Sequence, residues 1–500
     1  MTLLLAVSSL LSRLLGVYRN HVLAGVFGAG ELSDAYFAAF QIPDTLYRLL
    51  VFGAISASFV PLFLKLKREN AQKAWDFVSS VQNGFLIFVL ILAVIIFIFA
   101  ENFVALLYWQ FSPEIQAETS TLLRIMLISP IFFTISGILS GIQNVFRSFW
   151  GFALAPIFYN LAIIFGILVL APSWGIAGVA YGVVLGAFLH AFVQLFPCLK
   201  MGFVWKLSLH WSGEFKKLLY TAVPRILSMA GFQLNFFIEG IVATTLLAGN
   251  LTVLRYAQDL QSFPIGIIGV SVAISSFSII SNLVIDGDSL RLASYVRDKL
   301  DHLFLLMIPA AFGLYALRYP LISLILEGGV FDKAAADLTA VTLMYLCLGL
   351  VAAAVSPLIT RVFFAYHDTF WPFLVTVLTV LINTVLVIYF AGTMGVAGIG
   401  LASSISMSLS LVAMLVILHR KYLKTQKFLN LKNIAIFTTA GGVMSYLISL
   451  VMQNISLSGS WIILFIQTTA LTILGAIIYM LIGFIFLRKR LFELIKTIGN

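Results

Sequence analysis

The chain has 500 residues, of which 61% are hydrophobic and only 10% charged, with a formal net charge of +10 and a mean hydropathy of +1.07. A soluble domain carries about 25% charged residues and a membrane β-barrel alternates polar with apolar residues; this chain does neither. Its positive charge is sorted into short connections between apolar runs, which argues for membrane orientation and against nucleic-acid binding.

At about 20 residues per crossing, the apolar runs predict fourteen membrane-spanning helices. They are placed at 2–27, 34–63, 77–100, 119–144, 152–171, 175–198, 217–247, 251–283, 300–326, 335–364, 370–391, 395–419, 431–453 and 460–487. The first run has no charged leader and no small-residue cleavage site, so it reads as a retained helix. Alternate connections are basic: Lys65 to Lys73, Arg147, Lys200 to Lys217, Arg291 to Lys299, Arg361, Arg420 to Lys432 and the tail from Arg488 to Lys496. The opposite connections hold Lys333 alone, among Glu31, Glu101, Glu114, Glu118, Glu327, Asp332 and Asp337. The positive-inside rule then places both termini in the cytoplasm.

Seven arginines interrupt or end the spans: Arg13, Arg19, Arg48, Arg124, Arg225, Arg255 and Arg318. A charge at the bilayer centre costs roughly 2.5–3.5 kcal/mol on insertion scales, so several in one bundle predict a wet, cationic interior suited to an anion. Arg stays charged and binds phosphate oxygens bidentately, whereas most Lys residues here remain in loops. Arg124, Arg225 and Arg318 lie near span ends, where snorkelling is the better reading. Asp44 one turn before Arg48, and Asp259 one turn after Arg255, set a structural ion pair against function at both. Cys198 and Cys347 read as packing residues. The histidines have no metal-ligand spacing and no phosphate-cradling Gly-rich loop appears, so neither an enzyme nor an ATPase is expected.

The sequence also repeats itself at an offset near 220. Gly175 to Val179 matches Gly395 to Ile399, Ala29 to Leu32 matches Ala248 to Leu251, and Val145-Phe146 matches Val362-Phe363. A six-span repeat implies two six-helix lobes, 1–200 and 201–430, around a central cavity with alternating access, plus two extra C-terminal spans in 431–500.

Ser12, Arg13, Gly16 and Arg19, then Phe27 to Gly30, Asp34 to Phe37, Ile42-Pro43 and Gly53 to Pro61, carry a more specific signal. With Pro156, Tyr159-Asn160, Gly182 to Gly186, His190, Pro264 and Arg361 to Asp368 in the same order, the chain resembles the MurJ (MviN) lipid II flippases of the MOP exporter superfamily. The resemblance implies an all-α polytopic protein that flips the undecaprenyl-diphosphate-linked peptidoglycan precursor to the outer leaflet of the bacterial cytoplasmic membrane. Ser12, Arg13, Arg19, Asp34, Arg48, Arg255 and Asp259 are its implied substrate-binding positions. Asp34 would neutralise an arginine or cap the second helix. Tyr47, Phe52 and Asp259 stand where the family usually has arginine, glutamate and arginine. Glu239, Asp368 and Thr384 form a candidate site for a coupling monovalent cation, the one cofactor considered. The apolar spans 431–487 are suited to the prenyl tail, and a functional monomer without nucleic acid is expected. The alternatives are a flippase for another polyprenyl-diphosphate-linked glycan and a cation-coupled exporter of the same superfamily.

Overall fold

The computed structural model describes the backbone of residues 2–49, 59–207, 212–424, 426–455 and 461–498; side chains are described for the same residues except 2–4, 6, 221–229, 232 and 486–498. The described residues are almost entirely helical, and their only β-type pairing is one bridge between Gly328 and Phe331. Helices dominate because a chain in hydrocarbon must satisfy each peptide group within its own segment.

Among the described residues, eleven helices are long and apolar enough to cross a membrane. We number the long helices α1 (Thr2–Phe27), α2 (Glu31–Tyr47), α3 (Ala71–Ile98), α4 (Pro113–Val145), α5 (Trp150–Trp174), α6 (Ile176–Lys200) and α7 (Gly213–Thr244). They continue as α8 (Asn250–Ile285), α9 (Ser289–Ile325), α10 (Lys333–Ala365), α11 (Phe370–Met394), α12 (Val396–Lys421), α13 (Leu431–Gln453) and α14 (Trp461–Ile485). The eleven are α3 to α6 and α8 to α14; α1, α2 and α7 occupy the other three predicted positions and include or adjoin residues outside the described set.

Helix starts follow from local chemistry. Ser112 accepts from Ile115 N, Ser212 from Phe215 N, Asp288 from Arg291 N and Asp332 from Ala335 N, each satisfying a donor the first turn leaves open. In α5 and α8 the backbone widens by one residue per turn at Gly166–Leu170 and Ile265–Gly269, the latter directly after Pro264, a known accommodation of a lost donor.

The chain divides into two compact units. The first comprises 1–252 with the turn 328–331; the second comprises 253–327 and 332–500. One core of the first packs Phe59, Phe63, Phe77, Ile138, Ile142 and Phe203; the core of the second includes Leu300, Leu303, Val355, Phe363, Met414 and Phe437. Within the first unit, Val330 N donates to Gly25 O at 2.9 Å. Gly329, at φ +58°, lies so close to the Gly25 carbonyl that a Cβ would overlap it.

The 220-residue repeat is present in backbone geometry. Arg147 and His367 are the two described non-glycine residues with positive φ, at 53° and 55°, and each sits in the same turn. Ser148 N bonds Gln143 O as Asp368 N bonds Phe363 O, so the counterpart of Phe363 is Gln143 and not Phe146, and the match of Val145-Phe146 with Val362-Phe363 is corrected by three residues. Gly175 (φ 55°, ψ −146°) and Gly395 (φ 63°, ψ −146°) open α6 and α12 with the same kink.

In the first unit, α5 and α6 pack through glycine. A Cβ on Gly182 would lie 2.9 Å from Gly166 Cα, and one on Gly166 would lie 2.7 Å from Gly182 Cα. Gly182→Val is expected to lower stability by at least 1–3 kcal/mol, the scale of overpacking a close contact. Thermal unfolding of the detergent-purified protein checks this; an unchanged midpoint would show that the two helices separate freely.

Candidate functional site

The polar face of α1 is built around Arg19. Its Nε and Nη2 donate to Asn20 Oδ1 at 3.2 and 2.9 Å, and Nη1 donates to Asn160 Oδ1 on α5 at 3.3 Å. Asn160 Nδ2 donates onward to Ser12 O, Ser12 Oγ and Pro156 O at 3.2, 3.4 and 3.0 Å. Ser12 and Arg19, seven residues apart, share one face of the helix, and Asn160 is the clamp that touches both. Among the described residues Arg19 has no carboxylate partner; two neutral amide oxygens hold the guanidinium without cancelling its charge. Ser12, Arg13 and Arg19 are all half-buried.

The other predicted positions of the first unit behave differently. Arg48 Nε pairs with Asp44 Oδ2 at 2.6 Å on an exposed helix face, the arginine side chain being 53% exposed. The i,i+4 ion pair expected from the spacing is present. Tyr47 lies half-buried against Phe133, ring centroids 4.3 Å apart. Asp34 neither neutralises an arginine nor caps its own helix. Ser33 caps α2 by a reciprocal pair with Gly30. The Asp34 carboxylate, 2% exposed, instead accepts from Gly249 N (2.7 Å), Thr252 N (2.8 Å) and Thr252 Oγ1 (2.6 Å). It therefore satisfies the open donors at the start of α8, as an acidic cap does. Phe52 and the Arg225 side chain lie outside the described residues.

In the second unit, Arg255 is buried and donates from Nη1 to Gln258 Oε1 at 2.9 Å, while Asp259 is exposed. Arg318 donates to Tyr315 O and lies over the rings of Tyr315 and Tyr319, at 4.9 and 4.6 Å. Arg124, in the first unit, pairs with Glu101 at 3.0 Å and reaches Phe97 O, a polar exit at a span end.

Of the three residues of the candidate cation site, Asp368 and Thr384 lie well apart in the second unit. Thr384 lies roughly 20 Å beyond Asp368 along α11 at 1.5 Å per residue, and its Oγ1 is bonded to Val380 O. Asp368 is engaged by Lys421 Nζ (2.8 Å), the Tyr422 hydroxyl (2.6 Å) and the first N–H groups of α11. Glu239, in the first unit, is buried in α7 at 3% exposure. Among the described residues no group of three or more His, Cys, Asp or Glu side chains is placed to hold a metal ion.

Sequence reasoning passed over Asn20 as a ligand of Arg19, and over Gln143 and Gln194, which join Ser136, Ser140 and His190 in a buried chain. The available signal was amide side chains inside apolar runs, which are costly to bury unless bonded.

A repeated helical fold in which most of the long helices could cross a membrane, with a guanidinium held by neutral amides, has the architecture of a polytopic membrane transporter. A family model described as "Lipid II flippase MurJ" matches residues 23–466, so the chain belongs to the lipid II flippase MurJ family. It is 25% identical over 427 residues to a probable lipid II flippase MurJ of Borreliella burgdorferi, covering 85% of this chain and 84% of that one. It is similar to a solved lipid II flippase MurJ in an inward closed conformation, with a TM-score of 0.82 and 26% identity over 97% of this chain and 99% of the other. An inward-facing multidrug resistance MATE transporter of the MOP superfamily shares the fold, with a TM-score of 0.69, 16% identity and coverage of 83% of this chain and 96% of the other.

Asp368 supplies a pH prediction. Burial pushes its carboxyl pKa up, but the bonds from Lys421 and Tyr422 outweigh that and leave it below the ordinary carboxylate value. A depressed folded pKa gives stability that is complete above the unfolded pKa and is lost as pH falls through the folded one. Unfolding midpoints of wild type and Asp368→Asn measured across acid pH should therefore converge below the usual carboxylate range and separate above it. Parallel curves would remove Asp368 from the balance.

Proposed function

We propose that the chain moves lipid II from the cytoplasmic to the outer leaflet of a bacterial cytoplasmic membrane, with the cationic face of α1 receiving the diphosphate. The observation that carries this is Arg19: its guanidinium is clamped by the neutral amides of Asn20 and Asn160 and, among the described residues, has no carboxylate partner, which suits it to an anion. Because the amides fix its orientation beforehand, little side-chain entropy is lost when phosphate oxygens arrive. Arg13, half-buried on the same helix, adds a second cation for the same headgroup. Membership of a lipid II flippase family supports the substrate, and the sorted basic connections support cytoplasmic termini.

In this reading the fourteen spans form two six-span lobes, and alternate exposure of the arginine face to the two sides moves the headgroup. The prenyl tail stays in hydrocarbon alongside α13 and α14, whose residues 433–453 and 461–485 carry no charge. Tyr47 in a family arginine position favours keeping a second reading, transport of another polyprenyl-diphosphate-linked glycan, which needs the same diphosphate chemistry.

Complementation separates these outcomes. Expressed in bacteria depleted of their own lipid II flippase, the wild type and Arg124→Ala are expected to restore growth, while Arg19→Ala at matched membrane level is not. Restoration by Arg19→Ala would keep the function and remove the cationic face from the mechanism. Failure of a well-inserted wild type would favour the second reading.

A further inference from the structure

The two halves of the repeat differ in chemistry at one place. In the first, Ser136 and Gln143 on α4 and His190 and Gln194 on α6 are joined by hydrogen bonds. The positions 220 residues on hold Ser356, Phe363, Ser410 and Met414, where Ser356 merely bonds back to Ala352 O and Phe363 and Met414 belong to the apolar core. The same helix pair thus closes without the polar chain, and packing does not demand it.

The chain has a direction. Gln194 Oε1 accepts from Ser140 Oγ (2.6 Å) and Gln143 Nε2 (3.0 Å), which fixes its amide, so Gln194 Nε2 donates to Ser136 Oγ. Ser136 has one hydrogen, and it goes to His190 Nδ1 at 2.7 Å. The network therefore assigns a neutral imidazole with its hydrogen on Nε2. Among the described residues His190 Nε2 has no hydrogen-bond partner, and neither does the Tyr159 hydroxyl on α5; both side chains are half-buried. The two rings stand 6.3 Å apart and nearly perpendicular, each against Phe133. Gly186 makes room: a Cβ there would lie 2.8 Å from Tyr159 Cδ2. The counterparts of Tyr159 and Gly186 are Thr379 and Ser406, so ring, space and imidazole changed together. Tyr159 directly precedes Asn160, the clamp of Arg19.

We propose that Tyr159 and His190 form a neutral subsite that reads the carbohydrate of a lipid-linked headgroup: a pyranose face against the tyrosine ring, and a hydroxyl or acetamido oxygen on His190 Nε2. The subsite rests on the lipid II reading above, with the diphosphate assigned to Arg19. A neutral donor fixed by Ser136 distinguishes sugars by geometry, where a charged one would favour any anion.

The full-length protein in nanodiscs is titrated with lipid II and, separately, with undecaprenyl diphosphate, which has the same tail and diphosphate but no sugar. His190→Ala, which leaves one polar group of the sugar unmatched, and Tyr159→Leu, which removes the stacking ring, are each expected to weaken lipid II binding by about 5- to 100-fold and to leave undecaprenyl diphosphate binding unchanged. His190→Gln, which offers an acceptor and a donor, should recover part of the loss. Arg19→Ala should weaken both lipids. Equal loss of both in the His190 and Tyr159 variants, or loss of neither, overturns the subsite while the lipid II reading stands. A wild type that binds neither lipid overturns the reading itself.

Discussion

The distance between α5 and α6 governs the polar architecture of the first unit. With Gly166 and Gly182 back to back, the two helices approach more closely than any side chain would allow. That approach carries Asn160 to α1 and seats the Tyr159 ring over Gly186. A hydrocarbon environment offers no water to repair a misplaced amide, so the clamp on Arg19 depends on backbone contact two turns away. Rigidity here comes from the absence of side chains, and it positions a guanidinium that no acid among the described residues neutralises.

Much of this was legible from residues because the governing periods are short. Apolar runs of spanning length and the Asp44–Arg48 spacing both depend on near neighbours, and each has its counterpart in the helices. The repeat was legible too, since Gly175 and Gly395 mark the same kink. The turn residues Arg147 and His367 were not, because a left-handed non-glycine residue leaves no compositional mark.

The errors share a cause: long-range partners. Asp34 meets Thr252 218 residues away, and Asn160 meets Ser12 148 residues away; nothing in the local sequence distinguishes an acid that caps a distant helix from one that faces a substrate. Asp368 and Thr384 are separated for a simpler reason, the rise of a helix, which sequence proximity does not display. The internal repeat also shows how one fold accommodates two chemistries. Where the first half buries Gln143 and Gln194, the second places Phe363 and Met414 in a dry core.

The turn at 328–331 has a consequence for how such chains diverge. Connections between spans ordinarily gain and lose residues freely, because they project into water. Here the backbone of Val330 is bonded to Gly25, and Gly329 fits against the same carbonyl without space for one carbon more. A single inserted residue would shift the register of that contact and drive a side chain into α1. Over evolutionary time, length variation should therefore accumulate in the other connections, with this one held at constant length.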